Sequence, residues 1–368
     1  MHPVLLQVTL PGILPRIVLL LGLATALIVI GLAALIGARR TAVVGILITI
    51  FLTVWLFAHR GNRAAPVELI VSSFGFFLSI GVISGCWLIA RTATRNGMEL
   101  GNAVQTLSFG LLGGFLGARL GYVAINSGGW ASWRDTFDYG LGGLFGYGAY
   151  VGGLLGIGIA TRKNFQAFRI WLDRATPTLL LCTGLTRLGC YFQGCDFGRP
   201  LGAKAPVIIS VLGTFPRWSP SADGAYSGSP AWLHHVSNFG LSTGAAASLP
   251  THPTQLYEAL FAWCAALLAY FIHRSSQFPG RTFLVMAMFY GLGRFLLEFL
   301  RGDPERGILL FAHNGATGLA GSWSQVIALS SVIAALVVWR HWSLGESTWT
   351  GFIRLLRAGF RPVPRFRL

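Results

Sequence analysis

The chain has 368 residues, of which 54% are hydrophobic and only 11% charged, with 48 glycines and a formal net charge of +16. So little charge excludes an ordinary soluble domain, and glycine-rich apolar runs suit membrane helices that pack closely. The positive balance does not signal nucleic acid, because the basic residues gather in short loops between apolar runs and in the C-terminal tail.

A membrane-spanning helix needs about 20 mostly apolar residues. By that measure the chain is expected to be an all-α polytopic membrane protein of about nine transmembrane helices. They fall near 17–37, 43–58, 68–90, 104–125, 138–160, 175–195, 254–273, 281–300 and 321–340. The first two make an additional N-terminal hairpin, 1–67, turning at Arg39 and Arg40. Only Arg16 precedes the first run and the basic pair follows it, so it is expected to stay as a helix and not to be cleaved. Residues 68–340 form the main membrane domain, with glycines closely spaced from Gly110 to Gly121 and from Gly140 to Gly158. The long stretch 196–253, with a β-prone run at 206–212 and with His234, His235 and His252, is expected to form a small irregular extracytoplasmic cap. A basic tail, 341–368, follows. With the N-terminus outside and the C-terminus in the cytoplasm, Arg39, Arg40, Arg91, Arg95, Arg162, Lys163, Arg169, Arg174, Arg274, Arg281 and Arg340 lie inside with the tail arginines. Three arginines remain within membrane segments: Arg119, Arg187 and Arg294.

Such arginines are expensive, at roughly 3 kcal/mol near the middle of a span, and they mark a cavity, a partner or a substrate. Tyr290, Arg294, Glu298 and Arg301 are four, four and three residues apart, which on a helix puts them on one face. A second cluster runs from Arg187 to Arg199 at the outer end of the sixth predicted helix; its bland alternative is an arginine snorkelling to the interface. A third, His252-Pro253-Thr254-Gln255-Leu256-Tyr257-Glu258, is either an acid/base pair or the organisation of a helix start. A fourth, Ser322-Trp323-Ser324-Gln325, is either a helix cap or places Gln325 toward a substrate. The five cysteines make no secreted-type framework, and Cys190 and Cys195, five apart on one continuous helix, are poorly placed for a disulfide. No metal-ligand spacing is present and no cofactor is expected.

Together these clusters resemble the phosphatidylglycerol:prolipoprotein diacylglyceryl transferase family over about residues 68–340. The family's H-P-S-Q-L-Y-E matches His252 to Glu258 with only Thr254 changed, and its Y-G-x-x-R-F-x-x-E-F-x-R matches Tyr290 to Arg301 throughout. Its G-R-x-G-N-F-x-N-G-E-x-x-G-R matches in part at Thr186 to Arg199. The resemblance implies a bacterial inner-membrane enzyme with phosphatidylglycerol, a preprolipoprotein bearing a lipobox cysteine, and membrane lipid as its partners. The cysteine thiol attacks glyceryl C3 and glycerol phosphate leaves. In that reading Arg187 and Arg294 stabilise the leaving phosphate, with His252 as a candidate catalytic group. Tyr290, Glu298, Arg301, Arg199, Gln255, Glu258, Gln325, Gly152 and Gly153 are the expected headgroup-binding residues.

The chain also departs from the family pattern. Val151 stands where the family has a histidine before the glycine pair Gly152-Gly153, and Phe74 stands in place of an early tyrosine. Cys190 and Gln193 replace two asparagines, and Cys195 replaces an acid, with Asp196 one place on. Three readings follow: a transferase whose thiol is deprotonated by another group such as His252 or by the arginine field, a paralogue serving another acceptor, or a non-catalytic lipid- or lipoprotein-binding protein. A transporter would need a polar path to both leaflets, and the arginine clusters open to one.

Overall fold

The computed structural model describes residues 4–10, 67–95, 97–126, 145–202, 204–218, 228–275, 277–303, 308–310 and 321–343. The expected helices at 17–37 and 43–58 and residues 344–368 of the tail lie outside these. A two-stranded sheet joins β1 (Val4–Leu10) and β2 (Val67–Ser72), and a second joins β3 (Ile308–Leu310) and β4 (Gly321–Ser322). The remaining elements are helical: α1 (Ser73–Arg95), α2 (Leu100–Asn126), α3 (Gly146–Ala160), α4 (Phe165–Gln193), α5 (Val207–Leu212), α6 (Pro230–Asn238), α7 (Thr254–Arg274), α8 (Arg281–Leu297) and α9 (Trp323–Ser343). Among the described residues five helices, α1, α2, α7, α8 and α9, are long and apolar enough to cross a membrane, and α3 is a shorter apolar helix.

Several boundaries differ from the sequence expectation for physical reasons. α1 begins at Ser73, because β2 takes the first residues of the expected 68–90 helix. α4 begins at Phe165 and not near 175, so Arg169 and Asp173 are buried inside a helix and not in a loop. Their polar groups are satisfied across the fold. Arg169 donates to the carbonyls of Pro279 at 2.9 Å and Trp342 at 3.1 Å, and Asp173 accepts from the backbone N–H groups of Gly280 at 2.7 Å and Phe283 at 2.9 Å. Those last two bonds satisfy donors at the start of α8 that would otherwise be orphans. The β-prone run at 206–212 is helical as α5, between Pro206 at its N-cap and Gly213 at its C-cap. β-branched residues favour strands only where a partner strand is available, and this run has none among the described residues.

The chain divides into two compact units, one containing Val71–Gly85 and Arg169–Leu368, the other Cys86–Phe168. In the first, α7 buries Ala262, Ala265, Ala266 and Ala269 along one face, against Leu180 of α4 and Met286 of α8. The opposite face leaves Leu260, Leu267 and Phe271 about 60% exposed, the outward apolar surface expected where lipid is the solvent.

In the second unit α2 and α3 meet through glycines. A Cβ on Gly152 would overlap the carbonyl oxygen of Gly113, and one on Gly156 that of Phe109. Gly152→Ala is therefore expected to lower thermal stability by about 1–3 kcal/mol through overpacking. Gly153→Ala is expected to be tolerated, since its Cβ would meet nothing nearer than the Gly110 oxygen at 3.6 Å. Melting curves of the two variants in detergent would check this. A matched loss in both would count against the packing account of Gly152.

Candidate functional site

The site is built where three helix ends are laced together by backbone hydrogen bonds. α4 stops at Gln193, and the chain after it crosses the segment before α7 and the segment after α8. Gly198 N–H donates to His252 O at 3.0 Å, His252 N–H to Arg199 O at 3.0 Å, Arg199 N–H to Leu300 O at 2.8 Å and Gly302 N–H to Phe197 O at 3.0 Å. Each of the three long motifs thus reaches the same place from a different helix. The residues Thr254 and Gln255 fasten the turn further: Thr254 Oγ1 donates to Asp196 O at 2.7 Å and Gln255 Nε2 to Cys195 O at 2.6 Å. No side chain caps α7, whose N-cap is Pro253, so the helix-start alternative for this motif does not describe what Thr254 and Glu258 do.

On this frame sits a continuous ion network. Glu258 is its centre, with Oε2 at 2.6 Å from Arg187 Nε and Oε1 at 3.0 Å from Arg294 Nη1. Arg294 Nη1 also lies 2.7 Å from Glu298 Oε2, the i,i+4 pair expected on α8. Asp196 bridges Arg187 Nη1 and Arg301 Nη2, each at 2.5 Å, and Asp303 binds Arg301 Nη2 at 2.6 Å. Three guanidinium groups meet four carboxylates. Glu258, Glu298 and Arg294 are all under 8% exposed, so their charges act in a medium that screens them little.

The two halves of the network differ in quality. Arg187 with Asp196, and Arg301 with Asp196 and Asp303, form aligned charge-assisted hydrogen bonds. Around Arg294 the pairs are close but off the hydrogen-bond line, leaving Arg294 Nη1 and both oxygens of Glu258 without an aligned partner although they are buried. Burial alone would push the Asp196 carboxyl up, but Arg301 and Arg187 overcome this and hold it well below the ordinary carboxylate range. A depressed acid contributes stability above its unfolded value near 4, lost only as pH falls through the folded one. Asp196 therefore stays ionised under any ordinary condition. Burial raises the Asp303 carboxyl, against the pull of Arg301.

The expected site residues fall into three groups. Arg187, Arg294, Glu258, Glu298 and Arg301 are in the network. Arg301 does not continue the helical face of Tyr290, Arg294 and Glu298 as its spacing predicted. α8 gives way to a 3-10 turn at Glu298–Leu300, and Arg301 is extended (φ −73°, ψ 143°), which points it to Asp196 and Asp303. The second group supports the frame. Arg199 Nε donates to Arg301 O at 3.3 Å, Gln255 holds Cys195, and Tyr290 stacks on Phe261 with ring centroids 5.6 Å apart. Gln325 forms a capping box with Ser322, accepting from its N–H at 3.1 Å while Ser322 Oγ accepts from Gln325 N–H at 3.2 Å. Its Nε2 donates to Phe295 O at 3.4 Å, so the cap alternative is the one the geometry displays. His252 takes no part in the six ion pairs; its ring lies 6.2 Å from Tyr257, and burial lowers its pKa so that the imidazole is neutral near pH 7. The third group, Gly152 and Gly153, belongs to the other unit, where Gly152 meets α2. Val151 is 59% exposed there and helps line an open apolar groove of about 530 Å³ with Leu155, Ile159 and Phe168.

Sequence reasoning met Asp196 only as an acid displaced by one place from the resembled motif, and it did not single out Asp303. The signal for Asp303 was the short Arg301-Gly302-Asp303 spacing, which allows a side-chain pair two residues apart. The fold also brings the ligand atoms of Cys190, Cys195 and Asp196 within 4.8 Å of one another, although their sequence spacing gave no metal set.

Helices long and apolar enough to cross a membrane, with a buried arginine–carboxylate centre where helix ends are laced together, define a helical membrane protein with a charged internal site. A family model for prolipoprotein diacylglyceryl transferase matches residues 63–341, and the chain belongs to that family. Among its relatives, the phosphatidylglycerol–prolipoprotein diacylglyceryl transferase of Clostridium tetani is 26% identical over 270 residues, covering 73% of this chain and 92% of the relative. That of Paenarthrobacter aurescens is 26% identical over 288 residues, covering 76% and 82%. That of Neisseria gonorrhoeae is 29% identical over 225 residues, covering 60% and 74%.

Proposed function

We propose that this protein transfers the diacylglyceryl group of phosphatidylglycerol to the thiol of a lipoprotein cysteine, at the bacterial inner membrane. The observation that carries this is the pair of arginines, Arg187 and Arg294, held 2.6 and 3.0 Å from one buried glutamate, with Arg294 Nη1 lacking an aligned hydrogen bond. A guanidinium kept close but not satisfied can turn its donors to a phosphate without first breaking a good bond, which is the preorganisation that catalysis of a charged leaving group needs. In the reaction the acceptor sulfur forms a bond to glyceryl C3 while the C3–O bond breaks. The electron pair leaves with glycerol phosphate, whose charge Arg187 and Arg294 stabilise, and the thiol proton passes to a base. His252, neutral and with Nδ1 free of a hydrogen-bond partner, is the base in this reading. Tyr290, Glu298, Arg301, Arg199, Gln255 and Glu258 shape the headgroup site. Around it the chain forms nine transmembrane helices with the N-terminus outside, the C-terminus in the cytoplasm and the 196–253 segment capping the outer face, an orientation supported by the distribution of arginines.

Incubating the purified protein with phosphatidylglycerol and a lipobox peptide tests this. Glycerol phosphate release with a matching gain in peptide mass is expected; release with an unmodified peptide would point to another acceptor, and no release would remove the enzymatic reading. A base must be unprotonated to act, so the rate is expected to rise with pH through an apparent pKa below the usual imidazole value of about 6.5 and then level off. In His252→Gln the acid limb of the profile should disappear. An unchanged limb in that variant would reassign the base.

A further inference from the structure

α4 does not run on through the two cysteines at its end. After Gln193 the chain reverses through Gly194, at φ +73°, a left-handed conformation natural to glycine. Gly194 N–H donates to Tyr191 O at 3.1 Å and Cys195 N–H to Cys190 O at 3.2 Å, the paired bonds of a Schellman turn. That turn places the residue beyond the cap over the last helical turn. Here those two positions are Cys195 and Cys190, and the Cys195 Sγ is 3.7 Å from the Cys190 carbonyl oxygen. The spacing that made a disulfide unsuitable on a continuous helix is therefore suitable on this one. Neither cysteine is in a disulfide in this structure, and their sulfurs lie within 4.8 Å of each other. Cys190 and Cys195 are also two of the positions where this chain departs from the resembled motif, so both changes fall on one facing pair.

The residue after Cys195 is Asp196, itself at φ +57°, whose carboxylate joins Arg187 to Arg301. Gln255 and Thr254 hold the carbonyls of Cys195 and Asp196, so the turn is fixed from α7, and its sulfur pair is the link that remains open.

We propose that Cys190 and Cys195 form a reversible disulfide that staples this turn and so pins Asp196 across Arg187 and Arg301. The inference rests on the proposed phosphate-stabilising arginines for its meaning, but its readouts need neither substrate nor turnover. The oxidant is a disulfide compound acting by exchange: one cysteine thiolate attacks it, releasing one thiol and leaving a mixed disulfide. The second cysteine displaces the other thiol, so two electrons and two protons pass from the pair to the oxidant. Asp196 does not supply a third metal ligand in this reading, since both of its oxygens are committed to arginines.

The test uses the full chain purified in detergent and treated with oxidised glutathione, then alkylated under denaturing conditions and digested with trypsin. Residues 188–204 give one peptide carrying both cysteines, because the Arg199–Pro200 bond resists cleavage. That peptide is expected unalkylated and lighter by two hydrogens, and doubly alkylated after dithiothreitol. Dithiothreitol should also lower the unfolding midpoint of the oxidised protein by about 2–4 °C, an effect absent from the Cys190→Ser/Cys195→Ser chain. Full alkylation at every glutathione ratio would overturn the proposal. So would protection that EDTA removes and dithiothreitol does not, which would make the cluster a metal site. An unchanged midpoint on reduction would overturn the stapling role even where the disulfide forms.

Discussion

Replacing Arg294 by alanine is expected to reduce transfer by at least 10²- to 10³-fold, the loss seen when one preorganised donor to a developing anion is removed. Arg294 is as deeply buried as Arg301 and is the cation of the network that lies between two glutamates, Glu258 and Glu298. Its removal takes one cation from Glu298 and one from Glu258, which keeps only Arg187 of its two ion-pair partners in the network. Breaking a buried pair in this way costs about 3–5 kcal/mol. The variant should therefore still insert but melt earlier than the parent chain. Arg294→Lys keeps the charge but not the planar set of donors, and should restore stability better than rate. Glycerol phosphate release, peptide mass and yield in the membrane fraction separate these effects. Full activity in Arg294→Ala would remove the leaving-group role from this residue.

Glu258→Gln is expected to cost about 10²-fold in transfer, although the side chain keeps its shape. Among the described residues Glu258 is the carboxylate paired with both Arg187 and Arg294, so its charge sets the spacing of the two guanidinium groups. Without it they repel each other, and the pair loses the spacing proposed to hold the leaving phosphate. The diagnostic result is non-additivity: once Arg294 is alanine, adding Glu258→Gln should cause little further loss, since the partner whose position it controlled is gone. Two losses that simply multiply would show that Glu258 acts independently of Arg294. A drop in affinity for phosphatidylglycerol with unchanged turnover would shift its role to headgroup binding alone.

Much of this centre was legible because charge in a membrane segment is rare and each instance asks for a partner. Arg187, Arg294, Glu258 and Glu298 stood out for that reason, and the fold joins them. What periodicity could not supply was where regular helix ends. Arg301 was aligned with Glu298 by a spacing that holds only while the helix continues, and the 3-10 turn sends it to Asp196 instead. Cys190 and Cys195 were separated by the same assumption and are reunited by the Schellman turn. The start of α4 was misplaced because Arg169 and Asp173 read as loop charges. Their partners, the carbonyls of Pro279 and Trp342 and the N–H groups of Gly280 and Phe283, are more than 100 residues away and are supplied only by the fold. Helix ends and long-range backbone partners depend on tertiary contacts, which a local pattern does not record.

The lacing that builds the site also closes off the segment beyond it. Leu201 N–H donates to Pro250 O at 2.8 Å, and Pro200 faces Thr251 across an antiparallel bridge, so the excursion between them leaves and re-enters through a cinched neck. Lengthening a closed excursion costs only about 0.6 kcal/mol for each doubling, and that cost stops at the neck. The neck thus divides two degrees of tolerance within a few residues of each other. Added length in the excursion costs little; at the lacing itself, a shift of one residue would unthread three helix ends at once.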